Sequence, residues 1–361
     1  MSQQQLQLPA EKQYAHEIEA LKKEETHPLP PGWQLSPHSV LMYLLGGQAG
    51  GVTIIPKYLG HRRLIEIAIA TLLTDRALLL VGDPGTGKSW LSEHMAAAIH
   101  NDSGKVIQGT AGTTEDQVRY SWNYAMLIAR GPSSEALVPS PVYSAMATGT
   151  LVRFEEISRC SSDVQDALIS ILSEKRLAIH ELKEELAALQ GFSLIATANS
   201  RDRGVNDMSA ALKRRFNVVV LPSPGDLETE VAIVKKRVSE MAIQLEMRGS
   251  MPADEAVEQV VTVFRELRNG VTMDGRNKVT SPENVPSTAE AISLLTGSMA
   301  LASSFSQGIV TPDDLAAGLQ GAIVKDEDKD QTTWQEYLEN IMKRRGKSWE
   351  SLYQACRKMN Q

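Results

Sequence analysis

The stretch that most constrains this chain runs from Leu78 to Ser92 and reads LLLVGDPGTGKSWLS. Leu78, Leu79, Leu80 and Val81 form a short unbroken apolar run, the pattern of a strand buried on both faces. Gly82-Asp83-Pro84-Gly85-Thr86-Gly87-Lys88-Ser89 follows at once, and a helix is expected from Lys88 to Ile99. This is a P-loop in the context it requires. The glycines let the backbone curl so that successive N–H groups point at one anion, and the positive end of the helix faces the same place. Lys88 is expected to reach the β- and γ-phosphates of a nucleoside triphosphate, and the Ser89 hydroxyl to ligate Mg²⁺. Gly82 to Ser89 and the adjoining Trp90 are therefore candidate nucleotide contacts.

The rest of the composition limits what such a site serves. The 361 residues, 42% hydrophobic, suffice for a substantial core divided into about two or three domains. The formal charge is −7 and no basic half stands out, so nucleic acid is not the expected partner. Cys160 and Cys356 lie far apart and the N-terminus has no apolar signal core, which together read as a reducing, cytoplasmic setting. The most apolar segment, Leu64 to Val81, is interrupted by Glu66, Asp75 and Arg76, so no membrane insertion is expected. The histidines are dispersed, without HExxH or CxxC spacing, and no structural zinc is assigned.

Taken in order, residues 1–35 are polar and charged, and Pro28-Leu29-Pro30-Pro31-Gly32 breaks any helix over Glu11 to Lys23; they read as a mobile arm or adaptor. Tyr58, Leu59 and Gly60 precede the helical segment that leads into the P-loop strand. In P-loop ATPases of this layout the corresponding turn lies near the adenine, while an ordinary packed turn is an equal reading. Further apolar runs at Lys105 to Gln108, Leu151 to Phe154, Phe192 to Ala196 and Val218 to Leu221 alternate with helical stretches, the pattern of a parallel α/β sheet. An insertion before the third strand opens on Thr114-Glu115-Asp116-Gln117, a capping box. Its Tyr120, Trp122 and Tyr124 alternate as in a hairpin, with aromatic packing against the sheet as the other account.

Phe154-Glu155-Glu156 resembles the acidic end of a Walker B strand: one carboxylate holds the Mg²⁺ hydration shell and the next polarises the attacking water. A second hairpin follows, built on Leu177 and Ile179 with an acidic tip at Lys183-Glu184-Glu185. Asn199, just beyond the fourth strand, is placed to orient a water against the γ-phosphate; a turn cap is the alternative. Ser209 to Phe216 forms a short helix ending in Lys213, Arg214 and Arg215, residues that a helix C-terminus favours in any case. Beyond a hinge at Pro222 to Gly225, helices over Leu227 to Met247, Ala253 to Arg268, Ser287 to Ser303 and Pro312 to Ile323 make a helical lid. After the Lys325-Asp326-Glu327-Asp328 linker, Thr333 and Glu336 read as a capping box for Trp334 to Arg345, and Ser348 to Lys358 as a last helix. The expected domains are an arm over 1–50, an αβα core over 51–222, a lid over 223–324 and an extension over 325–361.

This order of motifs resembles the AAA+ ATPases, and the two insertions, one before each of the third and fourth strands, are similar to those of the MoxR branch. Asp163-Val164-Gln165-Asp166-Ala167-Leu168 and Leu172-Ser173-Glu174 resemble that branch's helix after Walker B, and within the branch the chain is similar to the YehL-like subgroup. The similarity spans about residues 55–325. It implies a homo-oligomeric ring, usually hexameric, with ATP between subunits, acting with von Willebrand factor A-type partner proteins in maturation or metal insertion. Carried over by position, Lys88 and Ser89 are Walker A, Glu156 the catalytic carboxylate, Asn199 sensor 1, and Arg215, with Arg214 second, the arginine finger. Two positions depart from the pattern: Glu155 stands where an Asp is usual, and Pro286-Ser287-Thr288-Ala289-Glu290 lacks the lid Arg for the γ-phosphate. Slow turnover is the expected consequence.

The leading expectation is an ATP-driven remodelling motor acting on a protein. A DNA translocase needs cations at the hairpin tip, which here reads His180-Glu181-Leu182-Lys183-Glu184-Glu185. A nucleotide-gated scaffold with little turnover draws on the missing lid Arg. A GTPase is disfavoured, since Asn277-Lys278-Val279-Thr280 lacks the closing Asp of the guanine-reading motif.

Overall fold

A computed structural model describes residues 8–200, 208–247, 249 and 251–359. Residues 1–7, the start of the expected arm, lie outside that set. All five apolar runs form strands of one parallel sheet: β1 Ala77–Gly82, β2 Val106–Gln108, β3 Leu151–Glu155, β4 Ser193–Asn199 and β5 Phe216–Val220. Their spatial order is β5-β1-β4-β3-β2. Strands buried on both faces need no polar alternation, which is why Leu78, Leu80, Val152, Phe154, Leu194 and Ile195 are buried regardless of the face they occupy. The pairing register sets Asn199 against Gly82, Ala196 against Phe154 and Gln108 against Glu155, so the C-terminal ends of β1, β3 and β4 share one edge of the sheet.

The chain divides into two compact units. One spans Leu8 to Pro222 apart from Pro84–Thr86, and the other takes Ser223 onward with those three P-loop residues. The division differs from the expected four parts at both ends. In the first unit, helix α1 (Ala15–Lys23) belongs to the main core and is no loose arm: Tyr14, Ile18 and Leu21 are buried at spacings of four and three, an apolar stripe that the surrounding charges hide. The proline run then turns the chain so that Gln34 meets the end of α2 (Lys88–His100), with its Nε2 donating to Ala97 O at 2.7 Å and its backbone N to Ile99 O at 2.8 Å.

The same segment buries an ion pair. Lys57 Nζ donates to Glu17 Oε2 at 2.6 Å with both side chains at most 1% exposed, and the ammonium lies over the rings of Tyr14 and Tyr43. Removing one partner strands a charge in the core, so Lys57→Met should lower stability by roughly 3 kcal/mol, whereas the Glu17→Leu/Lys57→Met pair should recover most of the loss. Urea denaturation of the two variants compares them; equal losses would show that packing and not charge sets the cost.

Among the described residues of the second unit, six helices from Leu227–Gln244 to Glu350–Met359 surround a core that includes Phe264, Leu295, Leu319, Trp334, Tyr337 and Tyr353. Three of those residues lie beyond residue 325, so the expected extension is part of the lid's own core. The helix expected to start at a Thr333 cap runs from Glu327 to Asn340 instead. The buried Asp330 carboxylate accepts from the backbone N–H groups of Glu283, Lys325 and Asp326, which fixes the first turn earlier and leaves Thr333 inside the helix. The Ser287/Glu290 capping box that opens Thr288–Phe305 is complete. In the first unit the Thr114/Gln117 box is present and Tyr120–Trp122 pairs with Leu137–Pro139, but Tyr124 opens a helix, Tyr124–Arg130, between those strands. Among the described residues no helix is long and apolar enough to cross a membrane.

Candidate nucleotide site

The P-loop needs backbone that only glycine adopts cheaply: Gly85 and Gly87 have φ of 80° and 78°. With the loop so curled, Lys88 at the first position of α2 turns back into it. Its ammonium donates to Gly82 O at 2.9 Å and Asp83 O at 2.8 Å, and the residue is 7% exposed. Next to it the Ser89 hydroxyl donates to Glu155 Oε2 at 2.7 Å, which joins the P-loop helix to the end of β3. Ser200 N reaches Gly82 O at 3.2 Å, and the Ser200 hydroxyl bonds the Asp83 carboxylate, so the segment after Asn199 is tied to the start of the loop.

The two adjacent glutamates occupy different environments. Glu155 is buried and receives four donors: Ser92 Oγ at 2.5 Å and Arg153 at 2.9 Å on Oε1, Ser89 Oγ and Thr197 Oγ1 both at 2.7 Å on Oε2. Burial pushes its pKa up, but the Arg153 charge and the hydroxyls of Ser92, Ser89 and Thr197 outweigh that and hold the carboxyl below its ordinary value. Glu156 takes the left-handed conformation, φ 55°, which swings its side chain out of the strand's alternation. Its backbone N–H donates to Thr197 Oγ1 at 2.9 Å; its carboxylate, 31% exposed, accepts from Arg159 Nε at 2.8 Å. Gly109 makes the turn possible, since a Cβ there would lie 2.5 Å from Glu156 O.

Lys88, Ser89, Glu155, Glu156 and Asn199 thus lie along the one sheet edge that carries the P-loop. Tyr58, Leu59 and Gly60 form a turn whose Tyr58 ring covers Gly60, leaving no room for a Cβ there, with Leu59 exposed. Trp90 is bound to that turn, its indole N–H donating to Lys57 O at 2.8 Å while its ring packs on His94. Arg214 and Arg215 stand apart from the cluster. They end helix Ala210–Lys213 and immediately precede β5, and Arg215 O accepts from Ala77 N at the N-terminal end of β1. The Arg215 guanidinium donates to Ser173 Oγ at 2.8 Å and Ala211 O at 2.7 Å. Sequence reasoning missed Ser92, Arg153 and Thr197. Arg153 had a readable signal: a cation inside an apolar strand, two residues before Glu155 and so on the same face.

Two family models match the chain. Residues 77–216 match the AAA domain (dynein-related subfamily) and residues 228–360 the YehL-like AAA+ ATPase C-terminal domain. The uncharacterized protein YehL of Escherichia coli K12 is 41% identical over 352 residues, covering 96% of each chain. An uncharacterized protein of Staphylococcus aureus USA300 is 25% identical over 196 residues, covering 54% of this chain and 69% of its own. Among solved structures, NtrX from Brucella abortus in complex with ADP aligns over 89% of this chain and 71% of its own, with a TM-score of 0.49 and 13% identity.

Proposed function

This chain belongs to the YehL-like AAA+ ATPases, and we propose that it binds ATP with Mg²⁺ and hydrolyses it, as a homo-oligomeric ring that remodels or matures a protein partner. The observation that carries the proposal is the Ser89–Glu155 contact of 2.7 Å beside Lys88, on the sheet edge that also holds Glu156 and Asn199. A hydroxyl and an ionised carboxylate make an oxygen-only donor set, which suits a hard divalent cation. Ser89 and Glu155 would hold Mg²⁺, which, when bound, neutralises charge on the phosphates.

The chain's own groups divide the remaining work. P-loop N–H groups and Lys88 bind the phosphates, and the ammonium exchanges the Gly82 and Asp83 carbonyls for phosphate oxygens. Glu156, partly exposed, is the base that polarises water, and Asn199 orients that water. Tyr58, Leu59 and Gly60 are proposed to flank the adenine. The second hairpin pairs Arg176–Ile179 with Glu184–Ala187; its turn carries Glu181 and Lys183, with Glu184 opening the second strand and Glu185 paired to Arg176. It thus presents no cationic surface of the kind DNA phosphates need, which favours a protein client, a von Willebrand factor A-type partner among the candidates. The absence of an Arg in Pro286–Glu290 fits slow turnover, and a nucleotide-gated scaffold is its extreme form.

Lys88→Ala tests the reading directly. It removes the loop's cation and leaves the P-loop itself with neutral donors only, so ATP affinity should fall by about 10- to 100-fold or more, the worth of a charged hydrogen bond. Calorimetric titration decides it, and wild-type affinity in the variant would refute the P-loop assignment.

A further inference from the structure

Arg153 lies in the middle of β3 between Val152 and Phe154 and is 8% exposed. A guanidinium so placed is costly unless its donors are met, and here they are. Nε donates to Ser92 Oγ, one terminal nitrogen to Ser103 O, and the other to Ser89 O, each at 3.1 Å; the last also donates to Glu155 Oε1 at 2.9 Å. Arg153 and Glu155 project from the same face of the strand, toward the first turn of α2. The guanidinium therefore binds the carboxylate and the P-loop helix at once, with a planar fork that a lysine cannot reproduce.

The result is a carboxylate with two unlike oxygens. Oε1 is held by Arg153 and Ser92, whereas Oε2 meets the hydroxyls of Ser89 and Thr197. A glutamate has several rotatable bonds, and one left to find its orientation at the moment of binding would lose affinity through lost rotamer freedom. We propose that Arg153, with Ser92, is the positioning residue for the divalent cation that accompanies the nucleotide: by clamping Oε1 it presets Oε2 beside Ser89 before the cation arrives. The inference rests on the nucleotide-binding reading above. It adds a metal-positioning role for two residues outside the P-loop motif and the Glu155-Glu156 pair.

The test separates the cation from the nucleotide. ADP affinity is measured in EDTA, and Mn²⁺ is then titrated into ADP-saturated protein, followed by loss of the free-ion electron paramagnetic resonance signal. Arg153→Met should weaken Mn²⁺ by about 10- to 100-fold, the usual effect of removing a partner of a metal ligand, with ADP affinity in EDTA within about twofold of wild type. Arg153→Lys should not restore it. Ser92→Ala removes a single hydroxyl from the same clamp and should shift Mn²⁺ affinity in the same direction by less, which keeps the idea testable if Arg153→Met does not fold. Unchanged Mn²⁺ affinity in Ser92→Ala and in whichever Arg153 variant folds overturns the proposal. So does an equal loss of ADP affinity in EDTA, which would make Arg153 a support of the P-loop helix alone. Wild-type protein that binds no ADP under either condition overturns the nucleotide reading itself, and the metal role with it.

Discussion

Glu156→Gln is expected to bind ATP and keep it, with hydrolysis reduced by about 10²- to 10⁴-fold, the usual contribution of a positioned base. Amide and carboxylate have the same shape, so the left-handed turn at Glu156 and the bond from its N–H to Thr197 survive the change. What is lost is the oxygen basic enough to polarise water. The neighbouring substitution should behave differently, because the Glu155 carboxylate is the buried counter-ion of Arg153 and also takes three hydroxyl donors. Glu155→Gln leaves the buried Arg153 without its counter-ion and turns the Ser89 and Thr197 hydroxyls from donors into acceptors, so it should impair metal binding and folding rather than trap ATP. Phosphate release at saturating ATP, paired with filter retention of labelled nucleotide, distinguishes the two. A trapped state in Glu155→Gln and not in Glu156→Gln would exchange their roles.

The contrast between these glutamates marks how far the sequence can be read. The parallel sheet was legible because each strand is an apolar run short enough to be a strand and bounded by breakers, and the P-loop because its glycines have one use. Side-chain partnership across the sheet was not. Nothing in Leu151-Val152-Arg153-Phe154-Glu155 says that Arg153 finds Ser92 and Ser103, since that follows from tertiary placement of α2 and of the segment that leaves it. The N-terminal segment was misread for a related reason. Tyr14, Ile18 and Leu21 make a stripe only when the helix is formed, and the charge around them looked like a solvated arm. At the C-terminus a Thr333/Glu336 pattern that would cap a helix in isolation lost to Asp330, whose backbone partners include a residue 47 positions away.

Arg215→Ala should leave ATP binding nearly intact and cut hydrolysis by ~10³- to 10⁵-fold, the range an arginine finger contributes to phosphoryl transfer. The sheet supplies the reason. β5 runs parallel to β1 with Phe216 opposite Ala77, so Arg215 stands at the N-terminal end of the strand whose C-terminal end, Gly82, begins the P-loop. A six-residue strand separates them by roughly 17–20 Å at about 3.3 Å per residue, beyond the reach of an arginine side chain. Arg215 therefore cannot serve the phosphate of its own chain, and any catalytic use of it is in trans, on a neighbour in the proposed ring. Its contacts suit that use: bonds to Ser173 and to the Ala211 carbonyl hold the guanidinium at helix Ser162–Glu174, with no ion pair to a carboxylate among the described residues. The decisive measurement mixes Arg215→Ala with Lys88→Ala, each inactive alone. A ring holding both can set an intact P-loop against an intact arginine, so part of the activity should return and pass through a maximum as the ratio varies. Mixed rings that assemble but stay inactive at every ratio would exclude Arg215. Repeating the mixture with Arg214→Ala, whose guanidinium is more exposed, would then show whether the role moves by one residue, and rescue there alone would assign it to Arg214.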